Sequence, residues 1–110
     1  MNTEEQIHRV RALVAEELPA LVELRHDLHR NPELGYEEFR TSQVITEKLG
    51  ADDVAYVDSL AGGTGVLGHL PGGDGSPIAL RADMDALPIH EETGVAHASR
   101  NEGRMHACGH

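Results

Sequence analysis

Tryptophan is absent from the 110 residues, and two Tyr and one Phe make up the whole aromatic content, 3% of the chain. Any core must therefore be assembled from Leu, Val, Ile and Ala. Only one cysteine is present, so no internal disulfide can form; the chain suits a reducing compartment, and cytoplasm is the expected location. Positive charge is scarce as well: nine Lys and Arg stand against nineteen Asp and Glu, a formal net charge of −10. A field of that sign repels phosphate backbones and anionic lipid headgroups, which argues against nucleic-acid and membrane-surface roles. No apolar run approaches the length of a membrane span, and the stretch from Met1 to Gln6 is acidic and polar where a secretory signal would be basic and then apolar. Neither a repeat nor a low-complexity tract nor a linker divides the chain, and its length suits one core.

The chain does contain helix periodicity in its first half. Ile7, Val10, Leu13 and Val14 recur at three- and four-residue steps, and Val22, Leu21, Leu24 and Leu28 carry the stripe onward, which predicts helix over about 3–30. Pro19 lacks an amide hydrogen and is expected to kink this helix or to begin a second one. Asn31-Pro32 ends it, because the residue before proline disfavours the helical region. A second helix is expected over about 36–49, with Glu37 and Glu38 at its positive end and Gly50 as left-handed cap. Beyond it the pattern changes to short β-type runs at about 53–58, 64–70 and 77–84, divided by Gly62-Gly63 and by a glycine-rich stretch, 70–75, that reads as a hairpin loop. The fold class is α/β.

Two motifs are set aside on context. Residues 63–68 match G-x-G-x-x-G, but Leu70-Pro71-Gly72-Gly73 follows where a dinucleotide-binding loop must open a helix. His26 and His29 are spaced i, i+3 without the i, i+4 pattern and glutamate of a zincin, and they read as solvated surface histidines.

Two segments carry residue types that suit catalysis. In a strand ending near Met84, Arg81, Asp83 and Asp85 share one face and Leu80, Ala82 and Met84 the other. Two carboxylates so close repel unless Arg81 or a metal cation lies between them. In His106-Ala107-Cys108-Gly109-His110, residues two apart in an extended segment point the same way, so Cys108 and His110, with His106 beside them, can offer thiolate and imidazole donors to one ion. Alone, either segment is also compatible with a solvated strand end or a frayed terminus.

Together with Leu24 to Gly35, the segments Leu80 to Pro88 and Met105 to His110 occur in the order and spacing of the M20 metallopeptidase family. The chain most resembles its amidohydrolase branch: hippurate hydrolases, N-acyl-amino-acid amidohydrolases and plant enzymes that cleave indole-acetyl amino acids. That resemblance implies an α/β, zinc-exopeptidase-like catalytic domain of which residues 1–110 are the N-terminal portion, without the lid or dimerisation domain. It implies Cys108 and His110 as metal ligands and Asp85 as the acid that steadies the centre, with Asp83 standing where distant relatives carry a ligand histidine. It also implies two divalent ions (Zn, Mn, Co or Ni), a small N-acyl amino acid as substrate, and a homodimer as the oligomer to test in the full-length form. The family's general base, a glutamate in a Glu-Glu pair, lies beyond the Cys-Gly-His motif, so the 110 residues alone are expected not to turn over substrate. The rival expectations are a self-associating α/β module and a small metal-binding protein using Cys108, His110, His106 and His97.

Overall fold

A computed structural model describes residues 1–109. Helix α1 runs unbroken over Thr3–Arg30. Its start is set by a capping box in which the Asn2 side chain accepts from Glu5 N–H and the Glu5 carboxylate accepts from Asn2 N–H, each at 2.9 Å. Pro19 lies inside this helix and does not divide it, so no second helix begins there and the expected span of about 3–30 is met. The C-terminus is sealed by Asn31, whose side-chain amide donates to the Asp27 carbonyl at 2.8 Å, and by Pro32, which is fully buried.

Helix α2 spans Phe39–Ala51, starting three residues later than the sequence pattern predicts. The reason is local: Tyr36 has φ 66°, a left-handed conformation incompatible with a helical turn. Glu37 and Glu38 do not cap α2. The anion at its N-terminus is Glu33, which accepts from Arg40 N–H (3.1 Å), Thr41 N–H (2.6 Å) and the Thr41 hydroxyl (2.7 Å). At the other end the left-handed residue is Asp53 (φ 56°), and Gly50 remains helical.

Strands β1 (Ala55–Leu60) and β2 (Gly65–His69) form an antiparallel hairpin, pairing Ala55 with His69 and Leu60 with Gly65. The register slips between Val57 and Leu60, where Ser59 takes φ 55°. Gly65 is required by close approach, since a Cβ there would stand 3.1 Å from the Leu60 backbone. The hairpin turn is therefore 61–64, not the 70–75 stretch. Helix α2 packs against both strands.

Residues 77–84 form no strand among the described residues. Ile78 and Leu80 are 92% and 98% exposed. Their backbone finds no partner strand, and an unpaired β-type run gains nothing from its propensity alone. The radius of gyration, 16.5 Å, exceeds the roughly 13 Å of a compact chain of this length. The excess reflects α1, whose apolar residues Ile7, Val10, Leu13, Val14 and Leu18 all remain exposed.

Candidate metal centre

The only buried hydrophobic residue among those described besides Pro32 is Ala86, and it sits at the crossing of the chain's distant parts. Ala86 N–H donates to the Glu33 carbonyl at 2.8 Å, and Leu34 and Ala86 form an isolated parallel bridge. One residue on, Leu87 and Met105 exchange both backbone hydrogen bonds, at 2.9 and 3.0 Å. These bonds fasten the end of α1, the acidic segment and the Cys108 segment to one another. Asp85 directly precedes the bonded Ala86, and Cys108 lies three residues beyond Met105.

The consequence is a hollow of about 210 Å³ lined by Asp83, Asp85, Leu87, His106 and Cys108. Three of the four residues singled out from the sequence thus share one cavity; the fourth, His110, lies outside the described residues. Asp83 pairs with the exposed Arg81 guanidinium at 2.8 Å, which supplies the neutralising cation. A second, more open hollow shares Asp83 and Asp85 and is bordered by Arg81, Tyr36 and Thr64. Its floor is held by buried Glu38, which accepts from the Thr64 hydroxyl (2.6 Å) and from Tyr36 N–H (3.0 Å).

His106 contributes an imidazole whose Nε2 is buried and has no hydrogen-bond partner among the described residues. Burial, seconded by the neighbouring His29 and opposed by Asp85, holds its pKa below the ordinary 6.5, so at neutral pH the ring is uncharged with a lone pair on one nitrogen. Two carboxylates, a thiol and a neutral imidazole fit a borderline divalent ion in kind. No three His, Cys, Asp or Glu side chains are grouped closely enough to hold one among the described residues, so the donor set is right and the described shell is open.

Behind this hollow the structure assembles groups that the sequence pattern assigned to a solvated surface. His29 is half-buried and donates from Nε2 to Glu91 Oε1 at 2.8 Å. The same carboxylate accepts from Ser99 N–H at 3.0 Å and from the Thr93 hydroxyl. The Thr93 bond, with those from Ser99 and His29, holds the Glu91 pKa below its ordinary 4.5 against the opposing effect of burial. His26 stacks on His97, ring centroids 3.8 Å apart and planes within 7°. The His29 ring lies 5.4 Å from His97 and 6.3 Å from His106. Glu91 and Glu33 were not distinguishable in the sequence, because their partners lie 62 residues and a helix terminus away; the i, i+3 pair His26 and His29 was the one visible signal.

A model of peptidase family M20/M25/M40 matches residues 79–110, the part of the chain that lines the hollow. Over 90 residues, 82% of the chain, the sequence is 48% identical to IAA-amino acid hydrolase ILR1-like 5 of Arabidopsis thaliana. The chain belongs to peptidase family M20. A second M20-type relative, the N-acetyldiaminopimelate deacetylase of Halalkalibacterium halodurans, is 44% identical over 93 residues, 84% of the chain. The family resemblance extends to three dimensions: the crystal structure of Bacillus subtilis YXEP, described as a dinuclear metal binding peptidase from the M20 family, superposes with a TM-score of 0.76 at 41% identity over 83% of the chain. The chain spans 20% and 25% of the length of the two curated relatives and 26% of that structure.

Proposed function

We propose that this chain contributes the acidic and thiol half of a metal-dependent amidohydrolase site acting on N-acyl amino acids. The observation that carries this reading is the convergence of Asp83, Asp85 and Cys108 on one hollow, at the end of the segment that matches the M20 family. The names of two relatives, one specifying amino-acid conjugates and one an N-acetyl group, support the substrate class.

In this reading Cys108 and His110 are metal ligands. A bound divalent ion, one of two by analogy with the dinuclear relative, supplies Lewis-acid activation of a water and of the acyl carbonyl. The chain's own residues prepare the ground. Arg81 offsets the charge of Asp83, which leaves Asp85 as the acid standing between the two hollows. The neutral His106 ring lines the same hollow as Asp85 without adding positive charge beside a cation site. Leu87 narrows the hollow with an apolar wall, excluding bulk water from one side.

Isothermal titration with Zn²⁺ tests the ligand assignment. Saturable binding, weakened at least tenfold in Cys108→Ser, is expected, since loss of one ligand or its support typically costs that much. A flat trace, or equal binding by both proteins, rejects the site. Hydrolysis is tested in the longest natural chain that carries these residues, as release of free amino acid from N-acetyl and N-benzoyl amino acids; no release from any of them in the metal-loaded protein rejects the substrate class.

A further inference from the structure

The chain between Glu91 and Arg104 has no regular structure, yet it carries the backbone from the acidic segment to the Cys108 segment. One end is tied to α1 by Glu91, which accepts from His29 Nε2 at 2.8 Å and closes the loop on itself by accepting from Ser99 N–H, and the other by Arg100 N–H to the Arg30 carbonyl (2.8 Å) with Asn101 Nδ2 to the Pro32 carbonyl (3.0 Å). Between them the His97 ring lies on α1, stacked face to face on His26 and edge-on to His29 at 5.4 Å.

We propose that the His26–His97 stack is an acid-released clasp, which holds the middle of the 91–104 loop on α1 at neutral pH and lets it go when the His97 ring acquires a proton.

The geometry requires this behaviour. Parallel rings 3.8 Å apart attract as neutral imidazoles, whereas a proton on His97 places a cation beside the Arg25 and Arg30 guanidinium groups of α1. The other charged groups facing His97 are all on α1 and mostly of the same sign: Arg25, Arg30 and His29. Glu91, which shares the His29 ring with His97 as a neighbour, is taken up by His29, Ser99 and Thr93. His106, on the third segment, faces His29 and not His97. Consistent with this, burial, then His26 and then Arg25 hold the His97 pKa below its ordinary 6.5. The docked loop therefore binds fewer protons than the released one, so docking is complete above pH 6.5 and is lost progressively as pH falls below it. Glu91, whose pKa is held below 4.5, keeps its charge through that window and so keeps its bond to His29 while the middle of the loop is released.

The test is amide hydrogen exchange of residues 92–98 in the intact chain, corrected for the intrinsic pH dependence of exchange. Protection is expected to fall several-fold between pH 7.5 and 5.5 while that of α2 stays constant, and His97→Phe, which keeps an aromatic face without a titrating nitrogen, is expected to abolish the difference. Equal protection at both pH values overturns the proposal, as does an unchanged loss of protection in His97→Phe. Should the variant not fold, histidine side-chain NMR of the unaltered chain decides: a His97 ring that titrates above 6.5, or keeps its contacts with His26 when protonated, overturns it.

Discussion

The first two-thirds of α1 and the junction of residues 27–42 with 85–106 show opposite relations between sequence and burial. Along α1 the apolar stripe is regular, yet Val10 and Val14 are 59% and 53% exposed. At the junction, beside Pro32 and Ala86, the residues that disappear from solvent are Glu38, Thr41, Ser42 and the Glu91 side chain, four polar groups that no apolar pattern selects. Periodicity identifies which face of a helix is able to bury. Burial itself requires a second surface, and in this chain it follows the polar bonds that bring distant segments together.

This contrast can be tested where it is sharpest. Glu33→Ala removes the acceptor for three donors at the start of α2 and is expected to destabilise the chain by about 2–3 kcal/mol, read from denaturant unfolding. Thr64→Val leaves buried Glu38 without its hydroxyl donor and is expected to lower stability by about 1–2 kcal/mol despite a nearly unchanged volume. Acid distinguishes the junction from the helix. Junction stability is expected to decline first below pH 6.5, where His97 must take up a proton that the docked loop disfavours. It is expected to decline again below 4.5, as protonation of Glu91 removes a charge that the folded state favours; far-UV circular dichroism of α1 should barely change over the first step. The smallest effect belongs to the exposed stripe: Val14→Ser is expected to change stability by no more than about 0.5 kcal/mol, read from denaturant unfolding. A loss of several kcal/mol from Val14→Ser would show that the stripe is covered after all.

The helices were legible because capping and periodicity act within a few residues: Asn2 with Glu5 starts α1, and Asn31-Pro32 stops it. The turn of the hairpin was not, because two glycine-rich stretches compete on composition alone. The choice of 61–64 depends on the left-handed conformations of Ala61 and Gly62 and on the contact of Gly65 with Leu60. The 77–84 run has strand composition, but a strand is a pairing and not a property of one segment. At the site, Asp83, Asp85 and Cys108 could be chosen only because their segments, ambiguous one by one, occur together in the order and spacing of the M20 family. His29, Glu91 and His97 could not, because what they do depends on which ring or carboxylate arrives from 60 or more residues away.

By itself the sequence determined the order of elements, the sign of the field, the family and the three described side chains that face the hollow. Only the tertiary structure decided which polar groups are buried, that Glu33 and not Glu37 or Glu38 meets the α2 terminus, and that two histidines read as surface groups become stacked and bonded partners. The division has one physical cause. Propensities, caps and side-chain alternation are set by neighbours a few bonds away, whereas hydrogen-bond partners and protonation depend on distances in space that only the folded chain defines.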